Sequence, residues 1–505
     1  MVDSRSRRAK FNIVFSLIGQ AITLICGLIV PRLLIGSFGS EAYGATASIS
    51  QFLAYITLLE GGIGGVARAA LYKPLAQNDN KKISSVIREI QRFFRVIALV
   101  FLVYVLVLAC SFKSISRVEC FDWISTFLLV IVISISTFAQ YFIGISYQVL
   151  IQAAQRTYIT QIITSLATIL NTMCIVILVS MGGNLIIVKL VSSIVFALRP
   201  IMQYLYVKKT FHLEKVNERS EDVLEQKWTG LGQHLAFFLH SNTDIAVLTI
   251  MSNLNFVAIY SVYNMVVSQI HNLTTSFATG MEALFGDMLA QKEIAKLYRT
   301  FNIYEAIISF VAGALFSITA VMLIPFVKLY TRGINDVNYI HPIFGITLVI
   351  ASFLYCLRMP YHSLTIAAGH FKQTKMAAYG EAIINISLSV ILVLRFNLLG
   401  VALATVLAVC FRTLFYVVYL SKNIINRSIM IFVKRVMCSF GSFAFVVFLG
   451  SFVVEMFNID NYQTWCLCAC MISAFSALVQ FFVLKVFYRD IYSDVLKKLG
   501  ISRKK

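Results

Sequence analysis

The 505-residue sequence predicts an all-α polytopic membrane protein of about fourteen transmembrane helices. Three observations carry that reading. Hydrophobic residues make up 59% of the chain and charged ones 13%, against roughly 25% charged in an average soluble domain, so the chain lacks the polar residues to cover a water-facing surface. The apolar residues fall into runs near the roughly 20-residue length that crosses a lipid core of about 30 Å. Nothing alternates with the period of a β-barrel strand.

The first run, 11–36, follows Arg5, Arg7, Arg8 and Lys10 and is far longer than the roughly 7–15 apolar residues of a signal-peptide core, so it reads as a span and not a cleaved leader. The others cover 41–62, 92–112, 122–151, 158–182, 184–206, 230–252, 255–284, 301–330, 338–367, 374–395, 398–420, 431–456 and 462–487. Lys and Arg mark the gaps between them. The 2/3 loop region carries Arg68, Lys73, Lys81, Lys82, Arg88, Arg92 and Arg95, the 6/7 loop Lys208, Lys209, Lys215, Arg219 and Lys227, and the tail Lys485, Arg489, Lys497, Lys498, Arg503, Lys504 and Lys505. Because such cations stay on the cytoplasmic side, both termini are expected in the cytoplasm. The net charge of +20 is thus a topology signal, and no nucleic-acid partner is expected. No external loop is long enough to hold an enzyme's substrate.

The chain also repeats itself. Leu150, Ala153, Ala154, Asn171 and Val176 recur 214 residues later as Leu364, Ala367, Ala368, Asn385 and Val390, and Leu75, Ala76, Gln77 recur as Leu289, Ala290, Gln291. Six spans separate the copies, an even number, so the repeats are parallel. The expected domains are 1–207, a six-helix lobe; 208–229, a cytoplasmic linker; 230–421, a second six-helix lobe; and 422–505, two further helices and a basic tail.

Ionisable groups inside spans are expensive and point to function. Asp244, Arg358 and Arg412 lie deepest, Glu60, Arg199 and Glu381 nearer the cytoplasmic side, and Arg32 and Lys189 nearer the outside. Lys189, Arg199 and Arg32 sit where a long side chain reaches the interface. The substrate-binding candidates are Arg32, Glu60, Asp244, Arg358, Glu381 and Arg412. Arg32 lies near the repeat counterpart of Asp244, and Arg68 on that of Glu282, which suggests pairing between the lobes. Candidate hinges are Gly61, Gly62, Gly64 and Gly65, which let a helix end bend or a neighbour approach, and Pro31 and Pro360, which break the hydrogen-bond ladder. His240, His271 and His362 read as packing residues. The ten cysteines show no metal spacing, and no cofactor is expected.

Phe38-Gly39-Ser40-Glu41-Ala42-Tyr43-Gly44 resembles the helix 1/2 loop of the polysaccharide transporter family of the multidrug/oligosaccharidyl-lipid/polysaccharide exporter superfamily. Glu60-Gly61-Gly62-Ile63-Gly64-Gly65 with Ala67-Arg68 is similar to its acidic, glycine-rich end of helix 2, and Leu399-Gly400-Val401-Ala402-Leu403-Ala404-Thr405 to its entry to helix 12. The resemblance implies a V-shaped two-lobe transporter, not an enzyme, working by alternating access in the bacterial inner membrane. It would flip undecaprenyl-diphosphate-linked oligosaccharide for O-antigen, capsule or exopolysaccharide assembly. Arginines would line its lumen, H+ or Na+ would serve as coupling ion, and polysaccharide polymerase and chain-length proteins would be its partners. The rival expectations are a multidrug/cation antiporter or peptidoglycan-precursor flippase of the same superfamily, and a membrane-embedded glycan-assembly enzyme.

Overall fold

The computed structural model describes residues 2–60, 63–214, 242–276 and 281–488, and among them the regular structure is entirely helical. Helices are what a segment must form where no water is present to satisfy its backbone. In order they are α1 (Val2–Phe38), α2 (Ser40–Ala54, running into a 3₁₀ turn at Tyr55–Glu60), α3 (Ile63–Gln77), α4 (Asn80–Ser116) and α5 (Trp123–Ala139). A π turn at Gln140–Gly144 leads into α6 (Ile145–Ala153), then α7 (Thr157–Ser180) and α8 (Leu185–Thr210). After these come α9 (Asn242–Met251), α10 (Leu254–Ser276), α11 (Met281–Ala290), α12 (Ile294–Tyr330), α13 (Pro342–Ala367), α14 (Phe371–Phe396), α15 (Leu398–Asn423), α16 (Ile429–Met456) and α17 (Tyr462–Phe487).

Short polar residues start these helices by accepting orphan amides, as the chemistry of first turns requires. Asp79 accepts from Lys82 N at 3.0 Å, Asn184 from Ile186 N at 3.1 Å and Asn461 from Thr464 N at 2.8 Å. Asp122 caps α5, and the hydrogen bond from Ser125 holds its carboxyl below the ordinary aspartate range. Glu41, from the loop motif, accepts from Glu119 N at 2.6 Å and Cys120 N at 3.3 Å, so it ties the α1/α2 corner to the α4–α5 connection.

Among the described residues eleven helical spans are long and apolar enough to cross a membrane, and α2–α3 makes a twelfth if its broken pair is one span. The two other expected spans coincide with α9, whose predicted first half lies outside the described residues, and with α10, which carries Asn264, Gln269, His271 and Asn272 and is too polar to join the apolar set. The second expected span is not one straight helix, because it gives way to the 3₁₀ turn before Gly61. Pro31 and Pro360 do not interrupt their helices, since α1 and α13 run through them. All ten cysteines are free.

The helices repeat in register. α2 and α10 start 214 residues apart, α4 and α12 are both 37 residues long with the same offset at each end, and α7 and α14 start at that offset too. α8 and α15, each of 26 residues, are offset by 213. By packing, the chain forms two compact units, Met1–Phe238 with Ser252–Ala258 and Leu239–Met251 with Ile259–Lys505. The extra helices α16 and α17 belong to the second, packed on α12. Most of the expected linker and the basic tail beyond 488 lie outside the described residues.

A single residue, Asn397 with φ +45°, separates α14 from α15, and so tight a corner presses the two backbones together. A Cβ on Gly400 would stand 2.4 Å from the carbonyl oxygen of Leu392. Gly400→Ala should therefore cost roughly 1–3 kcal/mol, seen as a lower Tm in detergent. Gly65→Ala, with open space around it inside a helix, should be neutral or slightly stabilising. Equal effects would refute the close approach.

Candidate functional site

Three ionisable residues singled out from the sequence come together in the second unit. Arg358 of α13 donates from Nη1 to Glu381 Oε1 at 2.6 Å, and Arg412 of α15 donates from Nη1 to Oε2 of the same carboxylate at 2.5 Å. Glu381 is fully buried, Arg358 is 1% exposed and Arg412 7%. They meet because each stands nine to eleven residues from the same-side end of its helix, Ala367, Phe371 or Asn423, about 14–17 Å along the axis. Aromatic rings complete the shell. The Arg358 guanidinium lies 4.4 Å from the Tyr355 ring centre, and Arg412 bonds the Tyr416 hydroxyl at 3.3 Å. Neither arginine's Nε has a partner. Two guanidinium groups share one carboxylate, which leaves one positive charge in excess near mid-membrane. His362 packs beside this group, 5.5 Å from the Tyr416 ring, while His271 packs on Tyr355 at 4.6 Å and His240 lies outside the described residues.

Asp244 heads a second cluster. Its Oδ2 accepts from the Tyr260 hydroxyl at 2.8 Å and from Thr405 Oγ1 at 3.3 Å, and Asn385 Nδ2 donates to that same Thr405 hydroxyl at 3.0 Å. Thr405 also reaches the Val401 carbonyl at 3.1 Å, and Asn385 Oδ1 is buried without a partner. Four kinds of oxygen converge here: carboxylate, hydroxyl, amide and backbone carbonyl. Oxygen donors of this kind suit hard cations. Glu381, Asn385 and Ser389 follow each other at one-turn intervals on α14, and all three are fully buried. They form a polar seam from the arginine pair toward Asp244.

A third cluster falls outside the residues singled out from the sequence. Glu305 of α12 accepts from Arg427 through two contacts at 2.7 and 3.1 Å, from the Tyr361 hydroxyl at 2.6 Å and from Arg435 of α16. Arg427 also contacts Asn302 at 3.0 Å and the Tyr361 hydroxyl. Arg427 and Arg435 lie in and just after the gap between the expected spans 398–420 and 431–456, among the cations that mark such gaps. Their pairing with Glu305 is set by the docking of α16 on α12, which no local pattern reveals. Glu305, an acid within an otherwise apolar run, is the one signal available.

In the first unit the half-buried Glu60 accepts from the Tyr141 hydroxyl at the π turn, and Arg68 donates to Gln152 at 2.9 Å. Arg32 is half-buried on α1, its guanidinium 3.9 Å from where a Cβ on Gly36 would stand. Asp244 and Arg68 thus take the partners just named from their own units. Among the described residues no neighbour comes within 4 Å of a Cβ on Gly65, and Arg68 comes that near Gly64; Gly61 and Gly62 lie outside the described residues.

Solved structures share this arrangement of helices. The chain is similar to the lipid II flippase MurJ in its inward closed conformation, with a TM-score of 0.71 at 17% identity, covering 95% of this chain and all of that one. It is also similar to an inward-facing multidrug resistance MATE family transporter of the MOP superfamily, with a TM-score of 0.59 at 16% identity over 81% of this chain and 98% of that one. The eukaryotic MATE transporter AtDTX14 matches with a TM-score of 0.57 at 10% identity, over 86% and 100%. At these identities the likeness establishes the fold, the one that the flippase and the multidrug transporters share. No family model matches the sequence. No curated protein matches it either.

Removing one partner of a buried ion pair costs about 3–5 kcal/mol, because a charge is left uncompensated. Glu381→Gln would strand two guanidinium groups, whereas Arg358→Gln leaves a balanced Arg412–Glu381 pair. Glu381→Gln should therefore lower the Tm in detergent more than Arg358→Gln does. The reverse order would mean that the excess charge is neutralised elsewhere.

Proposed function

We propose that the protein flips a lipid-linked oligosaccharide carrying a diphosphate, of the undecaprenyl type, across the bacterial inner membrane for assembly of a surface polysaccharide such as O-antigen, capsule or exopolysaccharide. Both termini would face the cytoplasm, as the cation distribution suggests. Polysaccharide polymerase and chain-length proteins would receive the product.

The observation that supports this reading is that two arginines face one carboxylate in each of two clusters of the second unit, Arg358 and Arg412 on Glu381, Arg427 and the partly exposed Arg435 on Glu305, while the buried acid Asp244 stands apart on hydroxyl partners. An uncompensated cation near mid-membrane selects an anionic passenger, and guanidinium groups bind phosphate oxygens in pairs. A site for cationic drugs would need the opposite balance. Arg358 and Arg412 hold Glu381 in the described arrangement. A diphosphate would compete for the same guanidinium groups when the lobes open. Asp244, Thr405, Asn385 and the Val401 carbonyl would take Na+ as the coupling ion, since an unpartnered amide oxygen and a carboxylate with hydroxyl partners offer the cation oxygens and no competing base. H+ on Asp244 is the alternative coupling species.

The length of the match to the lipid II flippase favours one second reading, a peptidoglycan precursor as passenger. Both substrates are diphosphate lipids. Deletion followed by mass analysis of the accumulated lipid intermediate tells them apart, and accumulation of neither would overturn the flippase reading.

Transport of a labelled undecaprenyl-diphosphate sugar in proteoliposomes should depend on a Na+ gradient in the wild type. Asp244→Asn should abolish that dependence and slow transport at least about tenfold, with folding judged by gel-filtration profile and abundance. Undiminished Na+ dependence in Asp244→Asn would remove the ion from this site. A pH gradient replacing Na+ would assign the site to H+.

A further inference from the structure

α4 and α12 are the same helix in the two repeats, yet their outer faces meet different surroundings. On α12, Ala306, Ser309, Gly313, Ala314 and Ser317 lie against α16 and α17. Gln480 stands 2.9 Å from a Cβ placed on Gly313, Ser476 donates to the Ala314 carbonyl at 3.3 Å, and Trp465 donates to the Met322 carbonyl at 3.2 Å. The counterparts of those small residues on α4 are Arg92, Arg95, Leu99, Val100 and Val103, and all five are exposed. Among the described residues nothing equivalent to α16 and α17 lies on this face.

Residue type decides what covers it. Helices that pack in a membrane approach through small residues, as α12 does. The exposed strip of α4, Val96, Leu99, Val100, Leu102, Val103, Leu106 and Val107, has none, and it presents the branched aliphatic surface that suits acyl chains. Arg88, Arg92 and Arg95 stand directly below that strip at helical spacing, all exposed. They cover about 10 Å of axis, comparable with a headgroup layer. The 37 residues of α4 reach about 55 Å, so the helix extends well past the hydrocarbon on the arginine side. Arg95 is braced against the Phe142 ring at 5.6 Å, which holds its guanidinium at the end of the aliphatic strip. Lys81 and Lys82 lie one to two turns further out, Lys82 paired with Asp79 at 3.7 Å, and the half-buried Glu89 is a second acid beside the row.

We propose that this face of α4 binds an anionic phospholipid, its phosphate held by Arg88, Arg92 and Arg95 and its chains lying along Val96–Val107. In the first unit the lipid takes the place that α16 and α17 fill in the second. The site is separate from the transport reading and stands or falls without it.

The test is native mass spectrometry of the full-length protein in detergent, titrated with phosphatidylglycerol and separately with phosphatidylcholine. Phosphatidylglycerol should bind preferentially. The Arg88→Gln/Arg92→Gln/Arg95→Gln variant should lose affinity for it by about tenfold or more, since each cation at an anionic surface contributes several-fold. Lys372→Gln/Lys375→Gln, exposed at the first turns of α14, should bind as the wild type does. Should the triple variant fail to fold, Arg92→Gln and Arg95→Gln singly should each show part of the loss. Equal binding of the two lipids, an unaffected arginine variant or an equal loss in the lysine variant would overturn the site. So would a photocrosslinker at Val103 that captures a protein in intact membranes in place of lipid.

Discussion

A carboxylate clasped by two guanidinium groups, formed twice in the second unit, is the interaction on which that unit's interior depends. In hydrocarbon a lone charge has no solvent to turn to, so each carboxylate joins the helices that supply its partners. Glu381 draws α13, α14 and α15 together at one depth. Glu305 joins α12 to the chain after α15, to α16 and, through Tyr361, to α13. The two added helices are thereby fastened to the repeat by charge as well as by the packing of Gln480 and Gly450 against α12. Both clusters keep one positive charge in surplus. An apolar replacement of equal volume would hold the helices as well, so the surplus calls for a reason beyond stability.

The first unit shows what the same backbone does without such clusters. At the shared offset Gly144 stands where the second repeat has Arg358, Ala167 where it has Glu381, Gln91 where it has Glu305 and Tyr147 where it has Tyr361. Among the ionic groups of those clusters, Arg199 alone matches its counterpart, Arg412, in register between α8 and α15. With no carboxylate paired to it among the described residues, it lies over the Phe196 ring at 4.6 Å. Small residues take over the packing. A Cβ on Gly144 would lie 2.7 Å from Pro200 Cβ, so α8 rests directly on the π turn. The duplicated frame therefore carries ion chemistry in one copy and close packing in the other.

How much of this the sequence discloses depends on the range of each interaction. Span position is local, and the expected 398–420 and 462–487 lie within a few residues of Leu398–Asn423 and Tyr462–Phe487. The second span is misread because the chain stays apolar through Tyr55–Glu60 while the backbone tightens, which hydrophobicity alone does not register. α4 starts twelve residues before the expected 92, because its water-exposed turns are amphipathic rather than apolar. In the site, Asp244, Arg358, Glu381 and Arg412 stand out as ionisable groups in apolar runs, and the repeat marks Asn385. Which of them meet is a matter of depth and facing, set by three helices at once. Arg427 and Arg435 escape notice for the same reason: near a helix end, a buried arginine and a topology-setting arginine look alike.

The seam on α14 suggests how ion and passenger would work on each other. Glu381 and Asn385 are one turn apart, about 6 Å, in surroundings that screen charge poorly. On the proposed reading, the carboxylate of Asp244 would offset the surplus positive charge of the arginine pair. Na+ beside Asp244 would remove that offset and favour an anion at the guanidinium groups. A diphosphate there would in turn favour the cation at Asp244. Binding at the two sites would then be mutually favourable, and reciprocal as linkage requires. The coupling needs no contact between ion and lipid. It needs only that both sites border one helix, α14, through Glu381 and Asn385 a turn apart.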